Sequence, residues 1–256
     1  MKEEIVKVGD WIKDQLKQAG KDKIVIGISG GVDSAVSAAI AVQAIGKDNV
    51  IGMILPCTSD PASKEDALKV IKHLGIKYWE QNLTDSFIAV SAGLLNGTGS
   101  SKTTLGNIKS RLRMISLYAM ANEKNALVQG TTNKTEALIG YYTKFGDGGV
   151  DIEPIAEYYK GEVREMAREL GLPEIVITKA PTADLGITSS DEEEFSKIAG
   201  VSTTYDDVDT ILKSAVDGEE MPETMDKKKI SAIMTMMKNS EHKRNTPPAY
   251  ERDLAE

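Results

Sequence analysis

Residues 23–45 read KIVIGI, SGGVDS, AVSAAIAVQAI in immediate succession, and this stretch restricts the fold more than any other part of the chain. Lys23 to Ile28 is short, β-branched and apolar without alternation, the pattern of a strand buried on both faces. Asp33 to Ile45 is alanine-rich and helical in propensity, with Gly46 as its stop. A buried strand that enters a helix through two glycines is the opening of a β–α unit. Such units close through right-handed crossovers into a parallel sheet.

The same alternation continues downstream. Val50 to Leu55 and Ile76 to Asn82 read as strands, and Ser63 to Leu74 as a helix with Ser63 as N-cap and Gly75 as stop. Thr84 to Leu95 and Leu105 to Asn122 read as helices separated by the loop-like Asn96–Thr103, and Ala126 to Gln129 as a further buried strand. Lys134–Leu138, Gly161–Leu170, Asp206–Val216 and Asp226–Lys238 are expected helices, and residues 3–19 form an amphipathic first one. Tyr141–Asp151 and Thr182–Asp191 are expected loops, and Pro247–Tyr250 an extended tail. The expectation is an α/β fold with an open, doubly wound parallel sheet and helices on both faces. Without a repeat or a low-complexity linker, residues 1–256 are taken as a single domain.

The glycine loop between strand and helix has its own chemistry. Two glycines let the backbone approach an anion, and the helix N-terminus presents free N–H groups and positive potential. Ser29 and Ser34 add hydroxyl donors. Asp33 does not suit an anion site unless it holds a cation that bridges to phosphate, which makes it a magnesium-ligand candidate. The loop lacks the Gly-Lys-Ser/Thr of a Walker A sequence and is not GxGxxG. Taken alone, it also reads as a plain strand-to-helix turn.

Composition narrows the classes. The net charge of −8 argues against long nucleic acid as a partner. No apolar run reaches the roughly eighteen residues of a membrane span, and the N-terminal segment has no signal-peptide core. The single cysteine, Cys57, allows no internal disulfide, and the two histidines, His73 and His242, argue against a histidine-built metal site. A cytoplasmic protein is expected. Cys57 has no histidine near it in sequence and reads as structural.

SGGVDS resembles the pyrophosphate loop of the N-type ATP pyrophosphatases, which cleave ATP between the α- and β-phosphates. Four later segments choose within that superfamily: GNIKSRLRM (106–114), GTTNKTEALIGYYTKFGDGGVDIEPI (130–155), KAPTADL (179–185) and HKRNTPP (242–248). Together, and in this order, they resemble ammonia-dependent NAD synthetases over nearly the whole chain.

The resemblance implies an adenine nucleotide alpha hydrolase-like fold. It implies a ligase that adenylates the nicotinate carboxylate of deamido-NAD with ATP and then transfers the acyl group to ammonia, giving NAD, AMP and pyrophosphate. By the same resemblance, ATP lies on Gly27, Ile28, Ser29, Gly30, Gly31, Val32, Asp33, Ser34, Thr131, Lys160 and Thr182. Mg2+ is held by Asp33 and Glu136. Deamido-NAD is met by Arg111, Lys144, Asp151, His242 and Lys243. Lys160 and Asp147 are the catalytic candidates, Lys160 at the phosphates and Asp147 near ammonia or the nicotinate end. The family is homodimeric, with the dinucleotide at the subunit boundary.

Each of these residues has a plainer reading. Arg111 and Arg113 lie two apart on a helix, so they face different ways. Glu136 in a first helical turn also favours the helix dipole. Lys144, Asp147 and Asp151 also suit a surface loop, and His242–Arg244 a solvated tail. One departure stands out: Gly186–Glu194 (GITSSDEEE) replaces the Trp-x-Gly-Gln-Thr-Asp-Glu of many family members, so this lid-like segment receives no roles by analogy. No glutaminase domain is expected, which leaves free ammonia as the expected nitrogen source unless another subunit delivers it. The alternatives are another ligase of the superfamily and a non-catalytic nucleotide sensor.

Overall fold

The computed structural model describes residues 1–95, 100–179 and 190–250. Four parallel strands, β1 (Lys23–Gly27), β2 (Val50–Ile54), β3 (Lys77–Glu80) and β4 (Ala126–Gln129), form one sheet in the order β3-β2-β1-β4. The chain winds outward from β1 to β3 and then returns to the other side of β1 with β4. That reversal places a topological switch point between β1 and β4, where open parallel sheets bind ligands beyond the carboxyl ends of the strands.

Period-two alternation sorts the strand side chains into two layers. Ile24 and Ile26 of β1 and Val50 and Ile54 of β2 face one core. This core is completed by α1 (Lys2–Ala19), α2 (Val32–Ile45), α3 (Pro61–Leu74), α7 (Lys160–Glu169) and α8 (Glu174–Thr178). Val25, Ile51, Met53 and Val128 face the other, under α4 (Thr84–Leu95) and α5 (Lys102–Lys124). The expected doubly wound sheet is therefore present. α2 packs deep in the first layer because its buried face is built from Ala35, Ala38, Ala39 and Ala41 beside Val36 and Ile40. The Cβ of Ala44 in α2 lies 3.4 Å from where a Cβ on Gly9 of α1 would stand, so the glycine lets the two helices close on each other.

A third, smaller core lies to the C-terminal side. Ile139, Tyr159, Phe195, Tyr205, Val208, Ile211, Leu212 and Ile233 join α6 (Lys134–Ile139), α9 (Asp191–Ala199), α10 (Tyr205–Leu212) and α11 (Lys227–Asn239). Phe195 stacks edge-on between Tyr141 and Tyr205, with ring centroids 5.1 and 5.2 Å away.

Several boundaries differ from the sequence expectation. Asp60, not Ser63, caps α3, accepting a bond from Ala62 N with Pro61 at the first helical position. Ser101 caps α5, which starts before Leu105. Asp191 opens helix α9 under the Ser190 cap rather than closing a loop. The short α12 (Glu241–Arg244) includes the run read as a solvated tail, and α8 lies in a stretch to which the sequence assigned no element.

Candidate active site

The β1–α2 loop is organised by its own hydroxyls. Ser34 Oγ accepts from Ser29 N and donates to Gly31 O, and Ser29 Oγ lies 3.0 Å from Ser34 Oγ and accepts from Gly31 N. Gly30 has φ +82°, and a Cβ there would lie 2.7 Å from Ala67 N, so backbone and packing both require glycine. Gly31 caps α2 without a side-chain bond. The first N–H groups of α2 therefore point toward the cleft with no side-chain acceptor at the cap, which is the arrangement that receives phosphate.

The β4–α6 turn meets this loop through Asn133. Its Oδ1 caps α6 by accepting from Glu136 N at 2.9 Å, while its Nδ2 donates to Asp33 Oδ1 at 2.8 Å. The same N-x-x-E capping box fixes Glu136. Lys160, the first residue of α7 and 1% exposed, then inserts between the two acids. Its Nζ donates to Asp33 Oδ2 at 2.6 Å and to Glu136 Oε1 at 3.0 Å. Three elements distant in sequence thus converge on one ammonium group.

Electrostatics follow from burial. Glu136 is pushed up to about 7, first by desolvation and then by Asp33, against the pull of Lys160. Burial alone would weaken the Lys160 ammonium, but Asp33 and Glu136 outweigh it and its pKa is raised. Lys160 remains a cation. The donors suit a hard divalent cation. Among the described residues no third histidine, cysteine or acid completes a metal shell, so phosphate oxygens and water would supply the rest, as magnesium prefers.

A cavity of about 290 Å3 opens here. Among its lining residues are Gly27, Ile28, Ser29, Gly31, Val32, Asp33, Ser34, Thr131, Glu136, Lys160 and Asp147, along with Arg113 and Lys179. The structure thus brings the expected ATP and metal residues together, with Gly30 directed into α3 packing. Thr182 lies outside the described residues, as do 186–189 of the divergent segment. Asp191, by contrast, is buried in the cavity wall and accepts from the Tyr205 and Tyr141 hydroxyls at 2.9 and 3.2 Å.

The expected dinucleotide residues are placed differently. Arg111 donates to Lys144 O, and Lys144 Nζ donates to the carbonyls of His242 and Asn245. Lys243 Nζ donates to the carbonyls of Gly140 and Tyr142, both at 2.7 Å. These four residues gather around the 140–146 segment, outside the cavity lining that includes Lys160. Asp151 accepts from Val128 N and the Tyr118 hydroxyl and so clamps β4. Asp147 accepts from the Ser110 hydroxyl at 2.6 Å and from Thr143 N. Arg113, left unassigned from sequence, is the arginine that reaches the cavity, donating to Leu55 O and Ser59 Oγ. Asn133 was overlooked, although its spacing to Glu136 is a legible capping signature. Cys57 is buried and its thiol faces Leu83 O, consistent with a structural role.

A glycine-rich β1–α2 loop at the switch point of a parallel sheet, faced by paired carboxylates and a buried lysine, belongs to an α/β protein of the adenine nucleotide alpha hydrolase-like class. The chain belongs to the NAD synthase family, whose model matches residues 4–247. It is 43% identical over 249 residues to the NH(3)-dependent NAD(+) synthetase of Methanosarcina mazei, covering 94% of this chain and 95% of that one. Among solved structures it resembles an NMN synthetase from Francisella tularensis, with TM-score 0.86, 33% identity and 98% of both chains covered. It also resembles the NH3-dependent NAD synthetase from Campylobacter jejuni, with TM-score 0.81, 29% identity and 98% of both chains covered.

Proposed function

We propose that this chain is an ammonia-dependent NAD synthetase: a ligase that converts deamido-NAD, ATP and ammonia to NAD, AMP and pyrophosphate, the last step of NAD biosynthesis. The observation that carries the reading is Lys160, buried between Asp33 and Glu136 at the mouth of the β1–α2 loop. Family membership and full-length similarity to NH(3)-dependent enzymes support it.

The reaction gathers several negative charges and develops more at the α-phosphate, so fixed positive groups must meet the transition state. The α2 N-terminus, with Ser29 and Ser34, would cradle the leaving pyrophosphate, and Thr131 and Thr182 would make further ATP contacts. Lys160 would stabilise charge as the nicotinate carboxylate attacks phosphorus. Asp33 and Glu136 would hold Mg2+, which when bound neutralises phosphate charge. Asp147, tied to Ser110 and Thr143, would place ammonia or the nicotinate end. Arg111, Lys144, Asp151, His242 and Lys243 would meet deamido-NAD, and Arg111, Lys144 and His242, now bonded to one another, would exchange part of that bonding for the dinucleotide, as would Lys243, now held by the carbonyls of Gly140 and Tyr142.

The finer assignments complete the proposal: one domain over 1–256, a homodimer, a cytoplasmic setting and no nucleic-acid partner. No helix among the described residues is long and apolar enough to cross a membrane. The likeness to the Francisella tularensis NMN synthetase favours a second reading, in which the acid is the mononucleotide. Offering nicotinate mononucleotide and deamido-NAD separately, with ATP, Mg2+ and ammonia, decides between them. NAD and AMP from deamido-NAD at the higher kcat/KM support the first reading. Preferred amidation of the mononucleotide replaces it with the second, and AMP from neither acid removes both.

A further inference from the structure

Helix α7 begins at the residue that carries the site, and its own Glu162 accepts from the N–H of the N-cap residue Tyr159 at 2.7 Å, which leaves the N–H groups of Lys160 and Gly161 to be satisfied. The first N–H groups of a helix have no partner within it and must find acceptors elsewhere. Here both come from outside α7. Lys160 N donates to Thr135 Oγ1 of α6 at 2.9 Å, and Gly161 N donates to Asp209 Oδ2 of α10 at 2.9 Å. The Thr135 hydroxyl, which accepts from Lys160, donates in turn to Asp209 Oδ1. Thr135 is fully buried and Asp209 is 7% exposed, so water does not substitute for either bond.

This closed relay runs from α10 through α6 to the backbone of the lysine whose ammonium lies between Asp33 and Glu136. We infer that Asp209 and Thr135 are positioning residues that fix the Lys160 backbone, and so its ammonium, relative to the ATP phosphates. The inference rests on the function proposed above. It assigns the small C-terminal core a part in the chemistry: α10 supplies an acceptor that α7 lacks. Only a carboxylate fits at 209. Both its oxygens accept, and an amide in the same place would turn a donor toward Gly161 N or leave the Thr135 hydroxyl without its acceptor.

Displacing a catalytic group by a fraction of an ångström costs rate more than binding, by about tenfold to a hundredfold. The test compares the full-length protein with Thr135→Val, Thr135→Ser and Asp209→Asn in steady-state NAD formation, with thermal midpoints measured in parallel. We expect Thr135→Val and Asp209→Asn to lose kcat by that factor while KM for ATP stays within about threefold, and Thr135→Ser to restore kcat. Wild-type kcat in Thr135→Val overturns the inference. So does a joint fall of kcat, ATP affinity and thermal midpoint in which serine does no better than valine, since that pattern marks a purely structural bond. Should valine prevent folding, Asp209→Asn carries the same kcat-against-KM comparison. Wild-type protein that forms neither NAD nor AMP would instead remove the underlying function, a result distinct from any variant's failure.

Discussion

Lys160 Nζ stands 2.6 Å from Asp33 Oδ2, and this pair ties the N-terminus of α7 to that of α2 across the mouth of the cleft. With Glu136 as second partner, a buried cation is held by two acids rather than one. Buried ion pairs lose much of their Coulomb gain to desolvation, so this arrangement is poorly explained as a device for stability. It is well explained as a preorganised charge set awaiting phosphate.

Asp33→Ala should abolish AMP and pyrophosphate formation while leaving a folded protein. Glu136 still compensates Lys160, so the stability loss should stay near the low end for a broken buried pair, about 3 kcal/mol. Pyrophosphate release and urea unfolding measured together check this, and near-normal turnover would refute the metal role of Asp33.

Lys160→Met should lower kcat by about a hundredfold to a thousandfold, the usual loss for one preorganised group at developing charge. It also leaves Asp33 and Glu136 facing each other without a cation. Their repulsion should make the variant's thermal midpoint rise with added Mg2+ more than wild type does, read by a melt with and without the ion.

Gly30→Ala places a side chain at φ +82° against the backbone of Ala67. The left-handed conformation alone costs about 1–2 kcal/mol, and overpacking adds to it. A lowered urea midpoint with a raised KM for ATP is expected. An unchanged KM would mean the loop tolerates displacement.

Glu153 supplies a pH signature away from the lysine. Its carboxylate, packed on Gly130 and accepting from Thr132 N, is raised from 4.5 to about 8, chiefly by burial and against the Thr132 bonds. Between those values the folded protein keeps a proton that the unfolded chain releases. Its contribution is therefore full at low pH and is lost as pH rises through about 8. The stability of Glu153→Gln relative to wild type should increase over that window in denaturant titrations. A difference independent of pH would contradict the shift.

Much of this was legible from residues alone. The KIVIGI strand, the SGGVDS loop and the β–α alternation specified the sheet because buried parallel strands leave little choice of pattern. Asp33 was singled out by the chemistry of its loop and, with Glu136 and Lys160, by resemblance, and the structure brings the three together as one ammonium shared by two carboxylates. What sequence could not show was the meeting of distant elements. Asn133 bridging to Asp33, Asp209 reaching α7 and Asp191 holding two tyrosines depend on packing between segments far apart in the chain. The placement of Arg111 and Arg113 on different sides followed from helical spacing, but only the structure shows that Arg113 is the one in the cavity.

The central claim is attack of the nicotinate carboxylate on the α-phosphate, and an isotope label tests it most directly. Deamido-NAD labelled with oxygen-18 in its carboxylate would be turned over with ATP, Mg2+ and ammonia, and the AMP analysed by mass spectrometry. An acyl adenylate passes one carboxylate oxygen to phosphorus, so each AMP formed should carry one oxygen-18 and NAD should keep the other. Unlabelled AMP, or ADP in its place, would contradict the account.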